Sequence, residues 1–126
     1  MGREGLKAKV VHADKVRRLP VDHAEGAFIQ ILIGPEEAPN FVLRRFTLLP
    51  GGRIKRHRHP DVEHEQYVLA GRMRIGLDDA VYEVGPGDAV FIPPGVAHWY
   101  ENVGEDPVLF LCLVPRTKEY KTEWLE

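Results

Sequence analysis

The sequence predicts an all-β domain, an antiparallel barrel or sandwich, and three observations support this fold class. The 126-residue length fits one domain with a single hydrophobic core. Short apolar runs alternate with turns throughout the chain, whose 12 glycines and 10 prolines are spread rather than clustered. Roughly eight to ten such runs fill about 110 residues, which leaves no room for the helical crossovers of a parallel sheet.

The first predicted strands form a hairpin with a long loop. Ala27 to Ile33 is rich in β-branched residues and too short for a convincing helix, and residues 34–40 have the composition of a turn. Phe41 to Leu49 is again typical of a strand. We expect Pro50-Gly51-Gly52 to end this second strand.

The rest of the chain repeats this pattern with shorter strands and tighter turns. The terminal segments, about 1–20 and 115–126, are expected to be arms, and the last ten residues either an arm or a turn of helix. Six further strand-like segments follow residue 66: Tyr67–Ala70, Arg72–Leu77, Val81–Val84, Ala89–Ile92, His98–Glu101 and Val108–Val114.

Charge and composition argue against several classes of partner. The 17 basic and 19 acidic residues nearly balance, so nothing favours nucleic acid or an anionic membrane surface. No apolar stretch has the length of a membrane span or a signal-peptide core. The single cysteine, Cys112, fits a reducing compartment. We therefore expect a cytoplasmic protein with no nucleic-acid or membrane partner.

Four of the six histidines lie in two short segments. His57 and His59 are two residues apart and would share one face of a strand, and a turn at residues 60–63 would return His64 on the neighbouring strand. His98 follows a Pro-Pro-Gly turn. An isolated His-x-His is more typical of a charged surface loop, but this clustering favours a site for one divalent transition metal, since imidazole is the preferred ligand of zinc, copper, iron and nickel.

The spacing of these residues resembles the two motifs of the cupin superfamily. The first motif, G-x5-H-x-H-x3,4-E-x6-G, is matched by Gly51, His57, His59, position 64 and Gly71. The second, G-x5-P-x-G-x2-H-x3-N, is matched by Gly87, Pro93, Gly95, His98 and Asn102. The resemblance implies a single cupin domain over residues 1–126, with core motifs at 51–71 and 87–102. It also implies an antiparallel jelly-roll barrel, the double-stranded β-helix, with the motif histidines as metal ligands.

One position departs from the family pattern. His64 stands where the first motif usually has glutamate, although Glu63 or Glu65 would replace it after a register shift. The spacings to His59 and Gly71 favour His64, and a four-histidine site resembles a minority of cupins. Four neutral ligands leave the charge of a dication uncompensated, which favours an anionic or chelating oxygen ligand. All-nitrogen ligation favours zinc, nickel, copper or iron over magnesium or calcium, and manganese stays a candidate because cupins often bind it.

Strand alternation adds two candidate catalytic residues. Gln66 shares a face with His64, and Tyr100 shares a face with His98. Either side chain would bond a metal-bound substrate or, alternatively, satisfy only a local backbone group. Asn102 is expected to tie the turn after its strand.

An arginine pair in an apolar strand leaves a question open. Arg44 and Arg45 are adjacent in a strand, so one of them would face the barrel interior and could bind a carboxylate. The alternation of strand residues alone does not decide which of the two faces inward. Cys112 is interpreted as a small core residue because no activating neighbour is evident in the sequence around it.

The fold alone does not choose the chemistry, because cupins include dioxygenases, decarboxylases, isomerases, lyases and binding proteins. The resemblance implies a metal-dependent enzyme of the dioxygenase or decarboxylase type acting on a small oxygen-rich molecule. The alternative is a cupin that binds or senses a small molecule without turnover. Outward apolar residues such as Trp99 and Trp124 are expected to pack in a homodimer.

Overall fold

A computed structural model describes residues 4–126, and the all-β prediction is confirmed. The only helical element of this part of the chain is one 3-10 turn at Ala13–Lys15, and it contains no helix able to cross a membrane. The ten strands are β1 (Leu19–Pro20), β2 (Ala24–Ile33), β3 (Phe41–Arg58), β4 (His64–Ala70), β5 (Met73–Leu77), β6 (Ala80–Val84), β7 (Ala89–Ile92), β8 (His98–Asn102), β9 (Val108–Pro115) and β10 (Glu123–Trp124).

The strands form one curled antiparallel sheet with the order β6-β5-β8-β3-β9-β4-β7. Strand β2 lies on the other edge of β3, where β1 and β10 add short pairings. The long strand β3 produces the curl, because its first half pairs with β9 from Phe41 to Leu48 and its second half pairs with β8 from Arg53 to His57. Since β3 pairs with both β9 and β8, its second half brings His57 beside His98 of β8, and His59 follows directly after its end.

The expectation that Pro50-Gly51-Gly52 ends a strand is wrong, because β3 continues to Arg58. Glu25 and Ala27 of β2 pair with Arg53 and Leu48, so the intervening residues of β3 form a bulge. Gly52 is required there, since a Cβ atom would lie 2.5 Å from the carbonyl oxygen of Gly26. The glycines therefore bend the strand without interrupting it.

The apolar core lies inside the curled sheet and reaches the base of a polar cavity. Inward and outward residues alternate along β9, as its burial pattern shows. The ring of Phe110 stacks on Phe46 at 5.0 Å and on Tyr100 at 5.2 Å, and these two rings line the cavity. Fully buried side chains include Leu48, Val68, Met73, Ile75, Ile92, Val108, Phe110 and Cys112.

Asn102 ties the turn after β8, as the sequence predicts. Its Nδ2 donates hydrogen bonds to the carbonyl oxygens of Leu48 (3.0 Å) and Asp106 (2.9 Å). Its Oδ1 accepts one from the Gly104 amide at 2.9 Å. The side chain thus joins the end of β8 to β3 and closes the following loop.

The C-terminal segment returns to the barrel mouth as a strand, so the alternative of a helical turn is wrong. Trp124 pairs with His57 in register, and the Leu125 amide donates to the Arg56 carbonyl at 2.9 Å. The Trp124 ring stacks on His23 at 4.3 Å and lies 4.7 Å from the His57 ring. Trp124 therefore packs within its own chain, where it covers one side of the histidine cluster.

Candidate metal centre

Three buried histidines converge at the open end of the barrel. His57 lies near the end of β3, His59 just after it, and His98 begins β8, where it pairs with His57 in register. Each side chain offers one ring nitrogen, and the three nitrogens lie within 4.8 Å of one another. This grouping fits a metal ion, which draws such ligands together to about 2.0–2.1 Å from itself.

The ring orientation of each of these histidines is fixed by a backbone carbonyl. A carbonyl oxygen only accepts hydrogen bonds, so each Nδ1 carries the proton and each Nε2 keeps a lone pair for a ligand. The same arrangement accompanies most metal-bound histidines. The Nδ1 partners are the carbonyl oxygens of Lys55 for His57 (2.7 Å), Val96 for His98 (2.9 Å) and Lys121 for His59 (3.1 Å).

Burial keeps these histidines neutral. Removal from water lowers the pKa of His98 to about 3 and that of His59 to about 4, and it also lowers the pKa of His57. Neighbouring histidines lower these values further. Neutral imidazole is the form that binds metals, so protons compete weakly for this site near neutral pH.

The fourth motif histidine lies beside this group but outside it. The His64 ring on β4 is buried, 4.5 Å from the His59 ring and 6.0 Å from the His98 ring. Within residues 4–126 its Nδ1 has no hydrogen-bond partner, and burial lowers its pKa to about 2. Glu63 and Glu65 are solvent-exposed, so neither faces the cavity in this register.

A tyrosine that the sequence analysis did not single out reaches the centre. Tyr120, in the C-terminal segment, is 41% exposed, yet its hydroxyl oxygen lies 2.5 Å from Nε2 of His64 and 3.3 Å from Nε2 of His59. Thr122 of the same segment lies 3.2 Å from Nδ1 of His59 through its hydroxyl. Both residues lie outside the motifs, so spacing gave no signal for them.

Gln66 and Tyr100, the two predicted catalytic residues, contact each other deeper in the cavity. Gln66 Nε2 donates to the Tyr100 hydroxyl at 2.7 Å and to Cys112 Sγ at 3.4 Å. Gln66 Oε1 has no partner among the described residues. Burial raises the pKa of Tyr100 well above its usual range, which keeps the phenol protonated. The side chains therefore bond each other rather than local backbone groups.

Arg44 is the member of the arginine pair that faces the cavity. Its Nη2 lies 3.0 Å from Cys112 Sγ, whereas Arg45 turns away and donates to Gln30 Oε1 at 3.0 Å. Cys112 is buried, as expected, but it has two polar neighbours on other strands, Arg44 and Gln66. The sequence around Cys112 shows neither neighbour, because sheet pairing supplies both from distant positions.

The histidine cluster lines one cavity of about 240 Å3 together with Arg44, Gln66, Tyr100 and Cys112. This volume is below the 300–1,000 Å3 typical of pockets for drug-sized ligands, so the cavity suits a small molecule. Among residues 4–126, the lining contains one carboxylate, that of the solvent-exposed Asp22. The polar lining consists of Arg44, His57, His59, His64, Gln66, His98, Tyr100, Tyr120 and Thr122 besides Asp22 and Cys112.

Comparison with known proteins identifies the domain type. Residues 44–114 match the cupin domain family. The chain is 30% identical to an uncharacterized protein of Methanocaldococcus jannaschii over 124 residues, covering 96% of this chain and 99% of that protein. It is similar to the structure of the polyketide cyclase RemF from Streptomyces resistomycificus, with a TM-score of 0.86 and 34% identity over 95% of this chain and 87% of that one. A 70-residue match to the oxalate decarboxylase OxdC of Bacillus subtilis is 31% identical and covers 52% of this chain but 18% of that protein.

Proposed function

This chain belongs to the cupin family, and from that premise we propose that it is a metal-dependent enzyme acting on a small oxygen-rich molecule. The reaction is of the dioxygenase or decarboxylase type. The observation that carries the proposal is the set of three converging histidines whose Nδ1 atoms are held by carbonyl groups. Histidines that only fill space in the core would not need to bring three ring nitrogens within 4.8 Å of one another.

The donor set fits one divalent transition metal. His57, His59 and His98 would hold it, and His64 would become the fourth ligand when its Nε2 exchanges the Tyr120 hydroxyl for the ion. Imidazole nitrogens suit zinc, iron, nickel or copper, with manganese as a further candidate. The bound ion would supply Lewis acidity and coordination positions for substrate oxygens.

Gln66 and Tyr100 would position the substrate next to that ion. The Tyr100 hydroxyl already accepts the Gln66 amide hydrogen, so its own proton can be donated to a substrate oxygen. The unpartnered Gln66 Oε1 can accept a hydrogen bond from a hydroxyl or a protonated acid. The rings of Phe46, Tyr100 and Trp124 supply apolar lining to the same cavity.

One of the similar proteins supports the decarboxylase type. The similar proteins include the oxalate decarboxylase OxdC and the polyketide cyclase RemF. The cavity volume of about 240 Å3 favours a small acid over a polycyclic molecule while the C-terminal segment is in place.

The test combines metal analysis with turnover. Protein purified without chelators is analysed for metals, loaded anaerobically with ferrous iron, and mixed with small oxo, hydroxy and dicarboxylic acids. Substrate-dependent oxygen uptake would support the dioxygenase type, and carbon dioxide release without uptake the decarboxylase type. Both should vanish in His57→Ala. Saturable binding without any product would instead establish the alternative, a binding or sensing cupin.

We further propose that the chain forms a homodimer through the outer apolar face of the sheet. This face presents exposed rings and aliphatic groups on neighbouring strands, which a monomer rarely leaves uncovered. A second copy would cover the same residues by two-fold symmetry. The exposed members are Phe41, Tyr67, Leu69 and Phe91, and the half-buried ones are Leu43, Leu111 and Leu113.

A further inference from the structure

Arg44 is a buried cation without an acidic partner. It is 8% exposed, and within residues 4–126 no carboxylate lies within 4.0 Å of its guanidinium group. Its Nη2 contacts the sulfur of Cys112, and its Nε has no hydrogen-bond partner. Burial of an uncompensated charge is costly, and proteins usually retain one only where a ligand or partner offsets it.

The position of Arg44 is fixed on the cavity side of the sheet. Arg44 pairs with Cys112 across β3 and β9, and Cys112 pairs with Gln66 across β9 and β4, so the three residues lie side by side. The guanidinium carbon lies 5.3 Å from the ring centres of both Phe46 and Tyr120. Cation–π contacts with these rings hold the cation in the cavity instead of letting it extend to water.

Gln66 connects this cation to the metal centre along one strand. It precedes Val68 on the inward face of β4 and follows His64 by two residues. Arg44 lines the same cavity as His59, His64 and His98. The guanidinium and the ring nitrogens therefore face the same small volume.

We propose that Arg44 is the anion-binding residue of the site and that the substrate is a small carboxylic acid. Its carboxylate bonds the Arg44 guanidinium, and a second oxygen function (an oxo, hydroxy or further carboxylate group) faces the histidines. This assignment rests on the proposed function, since it places the second oxygen function at the metal. A dication and a guanidinium together carry three positive charges, whereas the described part of the chain contributes one exposed carboxylate, Asp22, to the lining.

The competing explanation is that Arg44 is a structural partner of a Cys112 thiolate. The two explanations predict different effects on the stability of the protein when the Arg44 charge is removed. If Arg44 and Cys112 form a structural ion pair, its removal destabilises the protein. If Arg44 instead binds a ligand and has no anionic partner in the protein, an apolar side chain can replace it without loss of stability.

Calorimetric titration of malonate into zinc-loaded protein tests the assignment. Arg44→Met should weaken malonate binding by about tenfold to a hundredfold, because a charge-assisted hydrogen bond is lost. Arg44→Lys should give an intermediate loss, since an ammonium group cannot reproduce the planar fork. Arg45→Met, the matched control on the opposite face, should change the affinity by less than about threefold. The neutral analogue malonamide should bind weakly and equally to all variants.

The outcomes separate this inference from the proposed function. Stoichiometric zinc with unchanged malonate affinity in Arg44→Met would overturn the role of Arg44 alone. Failure of zinc to bind would overturn the proposed function, and failure of malonate, oxalate and pyruvate to bind the zinc-loaded protein at millimolar concentrations would overturn the substrate class.

Thermal unfolding of the metal-free protein supplies a second readout. Arg44→Met is expected to leave the Tm unchanged or raise it by a few degrees, because a buried charge is removed. A lowered Tm in Arg44→Met, matched by the same loss in Cys112→Ser, would show a structural ion pair and contradict the assignment.

Discussion

The hydroxyl oxygen of Tyr120 lies 2.5 Å from Nε2 of His64, the nitrogen that His64 would use to bind a metal ion. A lone pair serves one partner at a time, so the hydroxyl hydrogen bond and the metal bond exclude each other. Tyr120 also lies 3.3 Å from Nε2 of His59. The C-terminal segment therefore competes with the metal for this side of the centre.

Removal of the Tyr120 hydroxyl should strengthen metal binding. We expect Tyr120→Phe to bind zinc about twofold to tenfold more tightly, because the metal-free state loses one hydrogen bond. Competition with a chromophoric chelator measures the affinity. Tyr82→Phe, at an exposed position of β6, is the matched control. Weaker binding in Tyr120→Phe would mean that the hydroxyl assists the metal instead of competing with it.

The metal-free protein should lose stability as the pH falls below about 6.5. His59 and His98 stay neutral in the fold because burial lowers their pKa values to about 4 and about 3, whereas the unfolded chain takes up protons near pH 6.5. The unfolded state then binds more protons, so acid favours unfolding. Each such histidine contributes up to about 1.4 kcal/mol per pH unit between its two pKa values. Urea unfolding of chelator-treated protein from pH 7.5 to 4.5 measures this slope.

A slope that becomes shallower in His98→Gln by the share of one histidine would assign the effect to the cluster, whereas His12→Gln should leave it unchanged because His12 is exposed. Constant stability from pH 7 to 5 would contradict the burial of neutral histidines.

Asn102 should matter for stability and not for the metal. Asn102→Ala removes three hydrogen bonds and leaves the buried Leu48 carbonyl without this donor, so we expect a loss of about 2–4 kcal/mol in the free energy of unfolding. Zinc stoichiometry should stay unchanged. Asn40→Ala, at an exposed turn, should have a negligible effect. A loss of zinc at unchanged stability would place Asn102 in the metal centre.

A charge in the outer apolar face should separate the proposed dimer. Tyr67→Lys places an ammonium group between Leu111 and Ala89, its partners on the two neighbouring strands, which a dry interface would not accommodate. Light scattering after gel filtration should give a dimer for the wild type and a monomer for this variant. Val81→Lys, on β6, should stay dimeric. A monomeric wild type would refute the proposed assembly.

The sequence was sufficient to predict the fold because its signals are local. Alternating apolar residues and glycine–proline turns identify strands at the scale of a few residues, and β9 shows the expected alternation. The wrong strand end at Gly51-Gly52 has the same origin, since glycine pairs mark both turns and bulges. Only the pairing of β3 with β2 shows that these glycines form a bulge and not a turn. This pairing exists only in the folded sheet, so the local sequence does not reveal it.

The candidate site was predictable only as far as its motifs extend. His57, His59 and His98 follow from spacing and converge in the structure. The orientation of Arg44 depends on its register against Cys112, and the contribution of Tyr120 depends on how the tail returns to β3. Long-range pairing decides both, so neither strand parity nor motif spacing identified them.

The central claim, one metal ion per chain held by these histidines, is tested most directly by elemental analysis of protein purified without chelators. We predict about one equivalent of a divalent transition metal per chain. Less than a tenth of that amount is expected in His57→Ala and His98→Ala, whereas His12→Ala, at an exposed residue, should retain it. A well-folded wild-type protein that holds no metal after incubation with zinc, manganese, iron, nickel or copper would contradict the account, as would full occupancy in His57→Ala.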